Sequence, residues 1–215
     1  MGAYSGLFVT FEGGEGAGKS TLIAGLWDLF SAKYPVFTTR QPGGSRIGGA
    51  IRELLLSKEQ GEMSSRCELL LFLADRAQHL DEIILPQLAK GSVVLCDRYN
   101  DSTIAYQGAA RGFHGDRLHS LCDFATEGVE PDLTFYLDID PEIGLARLAH
   151  SRHNTDRIES ETLNFHMAIR QGFLDIAKQK EKSGKFYTID GSQTQEAVLT
   201  QVAEILDGAL SSLNR

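Results

Sequence analysis

Residues 13–20 are the segment of the chain best suited to chemistry. They read Gly-Gly-Glu-Gly-Ala-Gly-Lys-Ser and match the phosphate-binding pattern G-x-x-x-x-G-K-[ST]. In such a loop the backbone N–H groups point at phosphate oxygens, the lysine reaches the β- and γ-phosphates, and the serine hydroxyl holds Mg²⁺. We therefore predict a nucleotide-phosphate site formed by Gly13, Gly14, Glu15, Gly16, Ala17, Gly18, Lys19, Ser20 and Thr21.

The residues on both sides of this motif place it between a strand and a helix. An apolar run at 7–11 precedes it, and residues 21–30 carry apolar side chains at helical spacing. The alternative is a glycine-rich turn with a chance Lys-Ser pair. Because a phosphate-binding loop requires a strand before it and a helix after it, these flanks favour the binding loop.

A second candidate site follows the third predicted strand. Asp97 and Arg98 come directly after the apolar run 92–96. A carboxylate at the end of a buried strand lies near Mg²⁺ in many proteins with a phosphate-binding loop, and an arginine fork binds phosphoryl groups. A surface ion pair is the alternative interpretation, and the loop on a neighbouring strand favours the functional one.

Two further segments suit a ligand at the same edge of the sheet. Residues 39–45, Thr-Arg-Gln-Pro-Gly-Gly-Ser, predict a fixed turn, and Arg52 lies about two helical turns beyond it, either facing an anion or solvated. Phe72 and Arg76 are four residues apart, so they share one helical face. The Phe72 ring suits stacking on a flat base, and the Arg76 guanidinium suits hydrogen bonding to it. Phe72 is also typical of an ordinary core position.

A polar segment at 151–157 separates two helical patterns. We predict a short mobile lid at about residues 147–158, whose arginines close on a transferring phosphate. The alternative is a solvated charged loop. The lid arginines are Arg147, Arg152 and Arg157.

Length and composition set broad limits on the protein. The 215 residues predict a single domain, 1–215, and the net charge of −8 argues against broad binding to a nucleic acid polymer. We see neither a signal peptide nor an apolar run long enough to span a membrane. Three cysteines without C-x-x-C spacing predict reduced thiols in the cytoplasm.

The order of predicted elements indicates an α/β fold with a parallel sheet flanked by helices in three layers. Short apolar strands are predicted at 7–11, 36–40, 92–96, 133–138 and 186–189. Helices are predicted at about 20–32, 45–57, 64–90, 101–110, 115–127, 141–151, 158–183 and 194–212.

Together these segments resemble the bacterial thymidylate kinases over nearly the whole chain. The matching blocks lie at 11–20, 39–45, 72–76, 97–108 and 156–159, and the block Asp-Arg-Tyr-Asn-Asp-Ser-Thr-Ile-Ala-Tyr-Gln-Gly is far more specific than the phosphate-binding loop. The resemblance implies a five-stranded P-loop NTPase fold and the reaction ATP + dTMP ⇌ ADP + dTDP with Mg²⁺, in dTTP biosynthesis. It also implies a homodimer, formed through the helices near 64–90 and 101–127.

The resemblance also implies roles for individual residues. Phe72 would stack on thymine, Arg76 would bind its ring oxygen, Tyr106 would crowd out a 2′-hydroxyl, and Glu15 would accept from the 3′-hydroxyl. The substrate site would comprise Arg40, Pro42, Arg52, Phe72, Arg76, Arg98, Ser102, Thr103, Tyr106 and Gln107. The catalytic group would comprise Lys19, Arg98, Glu15, Arg152 and Arg157, with Ser20 and Asp97 at Mg²⁺, Arg147 at ATP and residues 190–192 at adenine.

Two departures from these relatives concern Gln41, which stands where many of them carry Glu, and the lid, which has sparser arginines than some relatives and one extra residue. Gly16 also stands where some relatives carry a basic residue. The uncharged Gly16 leads us to expect the transition-state cation from the lid. The alternatives are another nucleoside or nucleotide kinase of the same fold, or a GTPase, for which the chain lacks an Asn-Lys-x-Asp segment.

Overall fold

A computed structural model describes residues 4–59, 61–151 and 155–213. Five strands form one parallel sheet in the order β2-β3-β1-β4-β5. The strands are β1 (Leu7–Glu12), β2 (Val36–Arg40), β3 (Val93–Asp97), β4 (Leu133–Asp138) and β5 (Phe186–Asp190). This confirms the predicted α/β fold with a five-stranded parallel sheet.

Helices cover both faces of the sheet, and their bounds lie close to the predicted ones. They are α1 (Lys19–Phe30), α2 (Arg46–Leu56), α3 (Ser65–His79), α4 (Leu85–Ala89), α5 (Asn100–Thr103), α6 (Asp116–Thr126), α7 (Pro141–Ser151), α8 (Leu163–Lys180) and α9 (Gln195–Leu213). One turn of π-helix, Leu80–Ile84, joins α3 to α4, and α5 continues as π-helix over Ile104–Ala110. Within the described residues, no helix is both long and apolar enough to cross a membrane.

The central strands β1, β3 and β4 are mostly apolar because side chains pointing to either face of the sheet are buried there, whereas the edge strand β2 is partly exposed. From β1, Val9 and Phe11 pack with α1 and α9, whereas the intervening Phe8 packs beside the π-helical turn after α3. In β4, Phe135 belongs to the first of these cores and Tyr136 packs against α8. This is the pattern of a parallel sheet between two helical layers.

Helix α8 begins later than the sequence predicts, at Leu163 rather than near 158. The carboxylate of Asp156 accepts from the N–H groups of Ile158 and Glu159, and the Arg157 N–H donates to the Leu56 carbonyl. Local side-chain bonds of this kind compete with helix formation, and Thr162 then caps α8 by accepting from Phe165 N–H.

The phosphate-binding loop packs backbone to backbone against α7. A Cβ atom added at Gly16 would collide with the carbonyl oxygen of Gly144, and one added at Gly144 would collide with the carbonyl oxygen of Glu15. Gly16 also has a φ of +69°, which disfavours other residues. A basic side chain at position 16 therefore has no room in this arrangement.

We predict that Gly144→Ala lowers the thermal unfolding midpoint, although alanine is the better helix former by about 0.8–1.0 kcal/mol. The collision with the Glu15 carbonyl costs roughly 1–3 kcal/mol, which exceeds that gain. The matched control is Gly208→Ala in α9, where an added Cβ meets nothing within 4 Å. The control is expected to raise the midpoint by about 2–4 °C. Calorimetry that finds both variants stabilised contradicts the close packing of the loop on α7.

Candidate active site

A cleft of about 1040 Å³ lies along the carboxyl edge of the sheet. The segments that follow β1, β2, β3 and β5 all contribute to its walls, which is where ligands bind in open α/β sheets. It brings together most of the predicted site residues, namely Glu15, Gly16, Ala17, Gly18, Lys19, Ser20, Thr21, Pro42, Arg52, Phe72, Arg76, Asp97, Arg98, Ser102, Thr103, Tyr106, Gln107 and Arg147.

Lys19 is buried at the start of α1 and folds back onto its own loop. Its ammonium donates to the carbonyl oxygens of Gly13 at 3.1 Å and Gly14 at 2.9 Å. Burial and then the charge of Arg98 lower the pKa of Lys19. Gly13 and Gly14 do not line the cleft, and they contact the site through their carbonyl oxygens, which accept from Lys19 and, at Gly13, also from Arg98.

Ser20 and Asp97 form a pair of oxygen ligands beside the loop. The Ser20 hydroxyl donates to Asp97 Oδ2 at 3.2 Å, and the buried Oδ1 of Asp97 has no hydrogen-bond partner among the described residues. The same residues contain no group of three acidic, histidine or cysteine side chains placed for a metal. Mg²⁺ typically takes one or two protein oxygens and completes its shell with phosphates and water, so this pair fits Mg²⁺.

Arg98 joins the end of β3 to the phosphate-binding loop. Its guanidinium donates to Glu15 Oε1 at 2.7 Å and to the Gly13 carbonyl at 2.9 Å, and it lies 4.8 Å from the centre of the Tyr106 ring. The Tyr106 hydroxyl donates to the same Glu15 oxygen at 2.7 Å. Although burial alone would raise the pKa of Glu15, Arg98 and Lys19 lower it to about 2, so this carboxyl is ionised.

The backbone at Arg98 is left-handed, with a φ of 74°, and a buried carboxylate holds the residues after it. Glu12, at the end of β1, accepts from Tyr99 N–H at 2.8 Å and from the Ser102 hydroxyl at 2.5 Å. Burial, followed by the nearby Asp101 carboxylate, raises the pKa of Glu12 to about 7. Glu12 therefore fixes the turn that aims Arg98 into the cleft.

Arg76 and Phe72 lie on α3 and line the cleft, with Phe72 half-buried. Arg76 is 2% exposed, and its Nη1 group donates to Thr103 Oγ1 at 2.6 Å and to Asn100 Oδ1 at 3.2 Å. Its Nη2 group donates to the Tyr99 carbonyl at 2.9 Å. The predicted pairing of a ring with a guanidinium is thus present on one wall.

The side chain of Arg157 does not line the cleft. It is predicted from the sequence to lie at the transferring phosphate, and in this structure it lies elsewhere. Its Nε donates to the Leu55 carbonyl at 2.7 Å, and its Nη2 lies 2.7 Å from the buried Glu68 carboxylate. Glu68 also accepts from Arg111 and from Gln107 Nε2. Because a buried carboxylate without a partner is costly, the inward position of Arg157 helps to compensate the charge of Glu68.

The remaining predicted residues lie at three different places. Arg52 donates to the Pro42 carbonyl at 2.8 Å, and Arg147 donates to the Gly191 carbonyl at 2.9 Å, both on the cleft wall. Arg40 is exposed at the end of β2 and does not line the cleft. Arg152 falls outside the described residues.

Sequence reasoning missed three buried polar residues that support the site, namely Glu12, Glu68 and His79, and it left the role of Gln41 open. A signal was present for one of them, because Glu12 ends an apolar strand and directly precedes the loop motif. The side chains of Glu68 and His79 lie on α3 among apolar residues, and only their partners on other elements reveal a role.

Comparison with known proteins identifies relatives of the whole chain. The family model described as thymidylate kinase matches residues 11–202. A thymidylate kinase of Protochlamydia amoebophila is 46% identical over 212 residues, covering 95% of this chain and 93% of the relative. One of Acaryochloris marina is 44% identical, covering 95% of this chain and 97% of the relative.

A solved structure agrees with these sequence matches. The crystal structure of thymidylate kinase from Ehrlichia chaffeensis superposes with a TM-score of 0.76 at 32% identity. The match covers 94% of this chain and 98% of that one. Sequence and fold therefore point to the same family.

Because the pKa of Glu12 is raised in the folded protein, we predict that the free energy of unfolding depends on pH. Between its ordinary pKa of 4.5 and about 7, the folded protein holds a proton that the unfolded chain has lost. The free energy of unfolding therefore falls as pH rises through this window, by up to about 1.4 kcal/mol per pH unit.

Glu12→Gln removes this contribution and keeps an oxygen for Tyr99 N–H. Its stability relative to the parent is expected to increase from pH 4.5 to 7 and then level off, as measured by urea denaturation at each pH. Glu204→Gln, an exposed position on α9, controls for the change in formal charge. A stability difference that does not vary with pH contradicts the prediction.

Proposed function

The chain belongs to the thymidylate kinase family, and from that premise we propose that it transfers the γ-phosphoryl group of ATP to dTMP, giving ADP and dTDP for dTTP biosynthesis. The observation that carries this proposal is the cleft itself. One continuous cavity joins a phosphate-binding loop to a ring and a guanidinium suited to a base, with Arg98 on its wall. A donor phosphate and an acceptor nucleotide fit such a cleft together.

On the acceptor side we assign base recognition to Phe72 and Arg76. Four of the five N–H groups of Arg76 bond to protein acceptors, which leaves one for a thymine carbonyl oxygen. Phe72 supplies a flat apolar surface on the same helical face. Ser102, Thr103 and Gln107 line the cleft beside them.

We assign the sugar of the acceptor to Tyr106 and Glu15. The phenol ring fills the space that a 2′-hydroxyl would need, and the ionised Glu15 carboxylate accepts from a 3′-hydroxyl. Arg98, which bonds Glu15 through one nitrogen, holds the acceptor phosphate, with Arg52 farther along the wall. Arg40 takes part only if it turns inward from its exposed position.

On the donor side, the loop N–H groups hold the ATP phosphates, and Lys19 exchanges its two loop carbonyls for phosphate oxygens. Ser20 and Asp97 would hold Mg²⁺, which would supply positive charge to offset the charge that develops on the phosphates. Positioning and electrostatic stabilisation by these residues account for catalysis of this kind.

The charge for the transition state comes from Lys19 and Arg98, together with an arginine of the 147–158 segment. Arg147 already lines the cleft beside Gly191, where the adenine side of ATP would lie. Arg157 can stabilise the transition state only in an arrangement in which its guanidinium leaves Glu68. The same role for Arg152 is proposed from the sequence alone.

Steady-state kinetics with dTMP, dUMP, dCMP and dGMP at equal ATP test the proposed substrate. We expect dTMP to lead, dUMP to lose roughly 1–3 kcal/mol for the missing methyl contact, and dCMP to be rejected because its amino group faces a donor. Lys19→Met, purified identically, should lose about 10²–10³ in kcat, which excludes a contaminating host kinase. A parent enzyme that prefers dCMP or dGMP refutes the assignment to dTMP.

We also propose that the protein acts as a homodimer. Helices α2 and α6 both pack against α3, and large apolar side chains on these three helices remain exposed. Phe124 on α6 is 85% exposed, Leu70 on α3 is 54% exposed, and Leu54 on α2 is 43% exposed. An apolar face of this kind is typical of a surface covered by a partner.

Replacing Phe124 and Leu70 together with lysine should convert a dimer into a monomer, because two desolvated charges oppose association. Light scattering after size-exclusion chromatography measures the mass. Leu29→Lys on α1, which is 51% exposed in the opposite helical layer, is the control. A parent that elutes as a monomer, or a double variant that stays dimeric, contradicts the proposed face.

A cytoplasmic location completes the proposal. The three cysteines, Cys67, Cys96 and Cys122, are all free, and Cys67 is exposed. Unpaired thiols are typical of a reducing compartment.

A further inference from the structure

Gln41, in the turn after β2, lies between Arg76, the proposed base-reading residue, and a buried histidine, His79. Its Oε1 accepts from Arg76 Nε at 2.8 Å, and its Nε2 lies 2.9 Å from His79 Nδ1. The other ring nitrogen, His79 Nε2, lies 2.6 Å from the Thr39 hydroxyl. Gln41 is 3% exposed and His79 is fully buried.

Thr39, His79, Gln41 and Arg76 form a row of hydrogen bonds. The direction of each bond in this row follows from Arg76. A guanidinium only donates, so the oxygen of the Gln41 amide must face it and the NH₂ group must face His79. An amide NH₂ also only donates, so His79 Nδ1 must accept and cannot carry a proton. The neutral ring then has its proton on Nε2, where it donates to the Thr39 hydroxyl.

The row is neutral from Thr39 to Gln41. Burial and the nearby Arg76 lower the pKa of His79 to about 4, which agrees with an uncharged ring at neutral pH. None of the acceptors of Arg76 carries a formal charge, because they are two side-chain amides, one hydroxyl and one backbone carbonyl. No hydrogen-bonded acceptor therefore neutralises the guanidinium, and the buried Asp75 carboxylate, which interacts with Arg76 through space, accepts instead from a backbone N–H in the turn after β2.

The ring of His79 is also fixed in place by the turn after β2. A Cβ atom added at Gly44 would collide with the His79 ring, so the backbone of the turn packs directly on the imidazole. Since Gln41 belongs to this same turn, the turn and α3 hold the Arg76 side chain between them.

We propose that Gln41 and His79 are positioning residues for base recognition, because their neutral hydrogen-bonded row fixes the guanidinium of Arg76 so that its one remaining N–H points at the base carbonyl. This inference rests on the proposed function and adds to it the means by which the base-reading donor is oriented. Neither residue touches the reacting phosphates, so their effect falls on acceptor affinity and selectivity rather than on the chemical step.

The kinetic test compares Gln41→Met, which keeps the shape of the side chain but neither hydrogen bond, with Gln41→Glu, which keeps the acceptor for Arg76. We expect Gln41→Met to raise KM for dTMP about 10-fold to 100-fold, to narrow its lead over dCMP about tenfold, and to leave kcat within about twofold. Gln41→Glu should keep KM within about threefold of the parent. Gln201→Met, at an exposed position on α9, is the matched control.

The second readout is the ¹⁵N spectrum of the imidazoles, in which the His79 signal is the one missing from His79→Asn. The parent should show a neutral ring protonated at Nε2. In Gln41→Glu a carboxylate oxygen replaces the NH₂ group opposite Nδ1, so His79 should take up a proton and become an imidazolium at pH 7. This readout also decides the question if Gln41→Met does not fold.

The outcomes separate the two proposals. A parent that does not phosphorylate dTMP refutes the proposed function and this inference with it. An active parent whose Gln41→Met variant keeps KM and selectivity within twofold overturns the positioning role alone. A parent His79 protonated at Nδ1 overturns the bond directions and therefore the inference.

Discussion

The ion pair between Arg98 and Glu15 is the contact on which the cleft depends. It joins the end of β3 to the phosphate-binding loop at 2.7 Å, and the Gly13 carbonyl accepts from the same guanidinium. The arginine reaches that position only because its backbone is left-handed, which costs energy for any residue other than glycine. Arg98 N–H donates to the Phe11 carbonyl, and Glu12 binds the next residue, so β1 supplies the contacts that hold this conformation.

The close contact between the phosphate-binding loop and α7 limits which residues can carry positive charge near the loop. Gly16 and Gly144 allow the loop and α7 to touch through their backbones, and that contact leaves no room for a basic side chain at position 16. The cations that line the cleft lie on other elements, namely Lys19 on α1, Arg52 on α2, Arg76 on α3, Arg98 after β3 and Arg147 on α7. Since these groups lie on different elements, the sheet and its two helical layers must be assembled before the site exists.

The fold and the local motifs were predictable because their signals are short-range. Both β2 and β4 have the predicted bounds, since their apolar runs end at polar turns, and the loop motif specifies its own strand and helix. The partner of Arg157 was not predictable, because Glu68 is distant in sequence. The two residues come together only because the segment 155–161 packs against α2 and α3 in the folded protein. The late start of α8 has the same origin, since Asp156 caps a turn instead of entering the helix.

Two arginines in one cleft have different hydrogen-bond partners, and this difference bears on the roles proposed for them. Arg98 is paired with the carboxylate of the phosphate-binding loop, which holds its guanidinium in the direction that the proposed contact with the acceptor phosphate requires. None of the four acceptors that Arg76 bonds is a carboxylate. The buried Asp75 carboxylate, which interacts electrostatically with Arg76, accepts instead from Gly43 N–H in the turn after β2. Under the proposed role of Arg76 in reading the base, Gln41 therefore orients the guanidinium as a neutral partner, and the carboxylate that holds the turn lies outside its hydrogen bonds.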